Sequence, residues 1–180
     1  MSPFSTVLLE YPPEISCQGW IRFAKVVAES LTCLYNRAMK PIDQLIPHRK
    51  PFLFVDRLEN VSQESLQGWH LYSKEEFFFA GHFPQYPVVP GVILIESMAQ
   101  VGGAGVRELG VLGDDSLFFL AVIEKAKFRR QVRPEDLVRF EITNLRLSAK
   151  MIRQSGKAYV GEELACEAEW MCIVGPVPAS

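Results

Sequence analysis

Apolar and polar positions change period along this 180-residue chain. From Trp20 onward, Trp20, Phe23, Ala24, Val27, Leu31, Leu34 and Ala38 recur at spacings of three and four, with Arg22, Lys25, Glu29 and Arg37 between them. That period predicts an amphipathic helix ending near Pro41. From Val92 to Val101 nearly every position is apolar, which predicts a helix buried all round. Pro90 and Gly91 introduce it, and a proline fits a helix start because its missing N–H would find no intrahelical partner. Gly102, Gly103 and Gly105 weaken its second half but permit close backbone approach. After Gly113 the period becomes two. Val138, Phe140 and Ile142 alternate with Arg139, Glu141 and Thr143, the mark of a half-buried antiparallel strand. Strands are expected over 52–58, 66–72, 117–124, 126–132, 137–147 and 158–174. One buried helix and a meander of long strands predict an α+β domain with a curved sheet wrapped around the helix.

Length and composition bound the function. The chain fits one domain of residues 41–180 plus an N-terminal extension, residues 1–40, that is helical in part and of unknown function. The extension reads as an accessory helix, or as sequence upstream of a true start at Met39, rather than as a targeting peptide: its acids Glu10, Glu14 and Glu29 do not suit an organellar leader. A net charge of −2 gives no global sign of nucleic-acid or membrane-surface binding. No apolar run is long enough to span a bilayer. Cys17, Cys33, Cys166 and Cys172 form no CxxC pair, so no metal is expected, and a cysteine-poor chain suits a reduced, cytoplasmic protein with free buried thiols.

Three features could carry chemistry. His82 lies in Gly81-His82-Phe83-Pro84, at the start of a loop stiffened by Pro84, Pro87 and Pro90; rigid placement is what a general base requires. Glu96 interrupts the apolar run Val92-Ile93-Leu94-Ile95, where burial of a carboxyl is costly and favours its neutral, proton-donating form. The helix start at Gly91 offers backbone N–H groups at the positive end of the helix dipole, suited to a carbonyl oxygen gaining negative charge. A base, an acid and an oxyanion donor suit proton abstraction beside a carbonyl with loss of a β-hydroxyl as water. They do not suit a serine or cysteine hydrolase, since no nucleophile elbow is present. His48 and His70 read as structural, His48 bonding its local turn.

The motifs resemble those of a known family. Pro47-His48-Arg49-Lys50-Pro51-Phe52-Leu53-Phe54-Val55-Asp56-Arg57 is similar to its opening signature. Gly81-His82-Phe83-Pro84, Pro87-Val88-Val89-Pro90-Gly91-Val92 and Ile95-Glu96-Ser97-Met98-Ala99-Gln100 resemble its active-site signature, and Lys125 to Arg130 its next strand. On these, residues 41–174 are identified with the (3R)-hydroxyacyl-[acyl-carrier-protein] dehydratases of type II fatty-acid synthesis, the FabZ type. The resemblance implies a hot-dog fold, catalysis by His82 and Glu96 with the Gly91 N–H as oxyanion donor, and an acyl tunnel at Phe83, Val88, Val89 and Pro90. It implies no cofactor. It also implies a homodimer as catalytic unit, assembled as a hexamer, with Glu96 reaching across the interface. The helix agrees: five residues at about 100° each point Gly91 and Glu96 well apart.

The partner implied is an acyl carrier protein bearing the substrate on its phosphopantetheine arm. Nine Lys or Arg against four acids between Leu120 and Arg153 suit an acidic partner, with Lys127, Arg129 and Arg130 as candidate docking residues. Three rivals share parts of this pattern: a hot-dog acyl-thioesterase, a non-catalytic thioester-binding module, and a dehydratase of a specialised lipid or polyketide pathway.

Overall fold

A computed structural model describes residues 39–113 and 115–176. The helix expected from Trp20, and Cys17 and Cys33, lie outside the described residues, as does nearly all of the expected 1–40 extension. The described chain begins with a single helical turn, α1 (Ile42–Leu45). Two strands follow, β1 (Arg57–Glu59) and β2 (Ser65–Leu71). A 3-10 turn, Phe77–Ala80, leads through the proline loop to the long helix α2 (Gly91–Glu108). Four long strands complete the fold: β3 (Ser116–Phe128), β4 (Leu137–Leu147), β5 (Met151–Val160) and β6 (Glu163–Pro176).

The strands form one antiparallel sheet in the order β1-β2-β4-β5-β6-β3. Helix α2 touches all six, so the sheet is wrapped around it, as the alternation predicts. Val138, Phe140 and Ile142 on β4 face the helix and are buried, while Arg139 and Glu141 pair on the outer face. Glycines let the layers approach. A Cβ on Gly68 would lie 2.6 Å from Val101, and one on Gly156 would lie 2.8 Å from both Met98 and Trp170. Gly102, Gly103 and Gly105 of the helix sit against Gln154, Phe118 and Leu66.

Four expected strands differ. The run 52–58 is extended, but only Arg57–Glu59 pairs, because Phe52 and Phe54 spend backbone groups on a helix side chain, described below. The expected strands 117–124 and 126–132 are one strand with a bulge between Glu124 and Lys127, where Lys125 takes φ 52°; Arg129–Val132 is loop. The single strand expected over 158–174 is a hairpin. Val160 pairs with Glu163 across a two-residue loop in which Gly161 takes φ 57°, which glycine adopts without strain.

The sheet's two edges are unlike. β1 is three residues long. β3 has thirteen residues and is exposed over most of its length, including Phe119, Leu120, Val122, Ile123 and Phe128. A long apolar edge is a template for pairing with another chain.

Candidate active site

Pro84, Pro87 and Pro90 remove backbone donors and fix φ, so the loop from Gly81 to Pro90 has few alternative paths. It is pinned at both ends. His82 N–H donates to Phe78 O at 2.8 Å, and Val89 N–H donates to Val132 O at 2.8 Å. Within it, His82 Nδ1 lies 3.0 Å from Val88 O. A carbonyl only accepts, so Nδ1 carries the proton and Nε2 presents a lone pair. Phe83 stacks on the imidazole at a centroid distance of 4.2 Å and takes φ 56°. A bulky side chain in that region needs its surroundings to hold it; here the turn closes by a Tyr86 N–H to Phe83 O bond of 2.7 Å.

Beside the loop is a cleft of about 440 Å³, walled by Val88, Val89, Gly91, Leu94, Phe128 and Gln131 among others. Its size falls within the range that holds small ligands. Of the expected tunnel residues, Val88 and Val89 line it. Phe83 and Pro90 do not: Phe83 is turned out over His82 and exposed, and Pro90 caps α2. The Gly91 N–H belongs to the first turn of α2, where no intrahelical acceptor exists. A Cβ on Gly91 would come 2.7 Å from Phe128 Cε1, so glycine lets the Phe128 ring pack this close to the helix start.

Glu96 departs from expectation. Its side chain is 22% exposed rather than fully buried. Val92, Glu96 and Gln100 follow each other at four-residue spacing on a stripe of α2, and that stripe leaves the sheet: Val92 is exposed, Glu96 half-buried and Gln100 buried. The helix is therefore not buried all round. Gln100 Oε1 accepts from Phe54 N–H at 2.8 Å, while its Nε2 donates to Phe52 O at 3.2 Å and to Glu96 Oε1 at 2.9 Å. The Phe54 contact fixes which end of the amide faces the carboxylate. His48 Nε2 stands 3.5 Å from the same Oε1. Both neighbours address one oxygen, leaving Oε2 for a reactant.

His48 and Gln100 are the residues that sequence reasoning missed as part of the site. His48 is not occupied with its local turn, since Arg49 bonds the carbonyls of Asp43, Ile46 and His48 instead. Burial holds His48 below its ordinary pKa, opposed by Glu96 and assisted by Arg49. The signal in the sequence was Gln100, a polar residue four positions after Glu96 on an apolar helix. Among the described residues, no hydrogen bond or ion pair joins His82 to Glu96 within the chain: one bonds the Val88 carbonyl, the other meets His48 and Gln100.

His70 is structural but strongly partnered. It is buried, with Nδ1 3.1 Å from Asp56 Oδ1 and Nε2 3.7 Å from Glu76. Despite burial, the bonds from His70 and the Leu71 N–H hold Asp56 below the usual carboxylate range, and desolvation pushes Glu76 above it. Cys166 and Cys172 are free and buried, and burial pushes both thiols up to about 12, so neither is a ready nucleophile.

The expected docking cations are engaged. Lys127 and Arg129 lie 3.8 and 2.5 Å from Glu167, and Arg130 lies 2.7 Å from Glu163 and 3.1 Å from Asp136. The excess of base between Leu120 and Arg153 is offset by acids of β6, which pairing with β3 brings alongside.

The described residues include no helix long and apolar enough to cross a membrane. A family model of FabA-like domains matches residues 46–169. The chain is 47% identical over 135 residues to a 3-hydroxyacyl-[acyl-carrier-protein] dehydratase FabZ of Desulforamulus reducens, covering 74% of this chain and 94% of that protein. It is also 47% identical over 134 residues to the protein of that name from Pelotomaculum thermopropionicum, covering 74% and 95%. Among solved structures, it resembles a chain of a dehydratase heterocomplex from Xenorhabdus doucetiae, with TM-score 0.64 at 18% identity over 79% of this chain and 94% of that one. A thioesterase from Streptococcus pneumoniae gives 0.51 at 11% identity over 68% and 88%. At such identities the structural matches establish the hot-dog fold alone; the matched domain and the sequence relatives establish that the chain belongs to the FabZ-type dehydratases.

Proposed function

We propose that the chain dehydrates (3R)-3-hydroxyacyl-[acyl-carrier-protein] to the trans-2-enoyl thioester in fatty-acid synthesis, in the cytoplasm, through a site shared by two copies. The observation that carries the reading is the His82 tautomer: Nδ1–H is spent on the carbonyl of Val88, which lines the cleft with Gly91, and this leaves the Nε2 lone pair to act as base. The Gly91 N–H polarises the thioester carbonyl. Nε2 takes the proton from C2. The C2–H electrons form the C2=C3 double bond as the C3–O bond breaks. Glu96 Oε2 gives a proton to the departing hydroxyl, which leaves as water. His82 then holds one proton more and Glu96 one fewer, and transfer between them restores the site.

Within one chain these groups face apart. Pairing of two copies through the exposed β3 edges would continue the sheet and bring the Glu96 of one copy to the His82 and Gly91 of the other. The hexamer is then three such dimers.

The test is hydration of a crotonyl thioester, followed by loss of enoyl absorbance in the ultraviolet, beside His82→Ala. Turnover that vanishes in the variant supports the reading. Full activity in the variant, or release of free thiol in place of hydration, would overturn it.

A further inference from the structure

Several cations at the β3 end of the sheet are balanced locally. Lys125 is held by Glu169, Lys127 and Arg129 by Glu167, and Arg130 by Glu163 and Asp136. The three cations first expected to dock a partner thus face three carboxylates. An external anion would have to displace those partners before it could be received.

Arg133 differs. No carboxylate among the described residues pairs with its guanidinium, which lies 4.8 Å over the Tyr86 ring. One amino group donates to Tyr86 Oη and, at 3.2 Å, to Gln131 Oε1. Tyr86 Oη in turn donates to Gln131 Oε1 at 3.0 Å. Gln131 is a wall of the cleft and Tyr86 belongs to the loop that carries His82. The cation is exposed at the rim, fixed by stacking, and keeps its remaining N–H donors for a planar acceptor.

We propose that Arg133, seated on Tyr86, receives a carboxylate of the acidic carrier protein as it docks at the cleft. Lys127, Arg129 and Arg130 instead join the β3 end of the sheet to its neighbours. This rests on the dehydratase reading, because that reading supplies the partner. Charge complementarity selects the occupant: the site offers one unneutralised guanidinium outside the cleft, where a protein surface would meet it.

The experiment presents one acyl group on three carriers: the carrier protein, coenzyme A and N-acetylcysteamine. Arg133→Ala and Arg133→Glu should raise KM for the carrier-protein thioester by about tenfold, more for the glutamate, with kcat held. KM for both small thioesters should stay within about twofold. Arg133→Lys should recover part of the loss, and Lys127→Ala should change the carrier-protein KM little. Added salt should weaken wild type more than Arg133→Ala.

An unchanged carrier-protein KM in both variants overturns the inference. An equal rise with coenzyme A overturns it in favour of a phosphate of the arm. A fall in kcat on all three carriers overturns it in favour of support for the Tyr86 loop. Wild-type turnover of N-acetylcysteamine thioester keeps the dehydratase reading intact in each of those cases; no wild-type turnover on any carrier removes both.

Discussion

His82 and Glu96 are held by opposite means. His82 is fixed by backbone: its ring bonds the Val88 carbonyl six residues ahead, within a loop that prolines leave little freedom. Glu96 is met by two side chains, Gln100 one helical turn on at 2.9 Å and the distant His48 at 3.5 Å, and Gln100 is clamped by the equally distant backbone of Phe52 and Phe54. In the proposed roles, the base is therefore a local device and the acid depends on tertiary contacts. A local bond holds without distant segments, whereas the placement of Glu96 depends on the 47–54 segment packing against α2.

The largest effect should come from removing either group. His82→Ala and Glu96→Ala should each lower kcat by about 10²–10⁴-fold, measured by enoyl absorbance at saturating substrate. If only one variant is impaired, the pairing of a local base with a tertiary acid is wrong.

Next in size is complementation. A mixture of the two inactive variants should recover about a quarter of wild-type activity if random mixed dimers each rebuild one site from two chains. No recovery in demonstrably mixed dimers would place both groups in one chain. A third variant isolates the clamp: Gln100→Leu should lower kcat by about tenfold or more through a misplaced Glu96, with KM nearly held. It also leaves Phe54 N–H without its partner, at a cost of about 1–3 kcal/mol in thermal stability. Stability loss with kcat intact would make Gln100 purely structural.

The smallest effect is in pH. His48 is held below its ordinary pKa of 6.5 in the folded state, so below that value the unfolded chain binds the proton more readily. Its contribution to stability therefore falls as pH drops through 6.5 toward the lowered folded value. The difference in Tm between pH 7.5 and pH 5.5 should shrink in His48→Gln, while His82→Gln provides the comparison at a histidine placed by a backbone bond. An unchanged difference in His48→Gln would remove burial of His48 as its cause.

The pattern of residues settled much of this protein alone. Alternation at Val138, Phe140 and Ile142 needs only the two-residue period of a strand, and it sets which face is buried. Pro90 and Gly91 mark the start of α2 through chain geometry within a few residues. The fixed placement of His82 in its loop was legible for the same reason: His82 and its acceptor Val88 are close in sequence. Three things depended on tertiary structure. The hairpin between β5 and β6 hid inside one apolar run because the sheet, not local composition, decides where Gly161 turns. The engagement of Lys127, Arg129 and Arg130 came from the pairing of β3 with β6 and the nearby Asp136. The cradle of Glu96 joins His48 and Phe52 to Gln100, positions about fifty residues apart, and only packing of the 47–54 segment against α2 brings the imidazole of His48 near the same carboxylate oxygen. Local sequence dictates period and turns, whereas contacts between distant segments exist only after the sheet has closed around its helix.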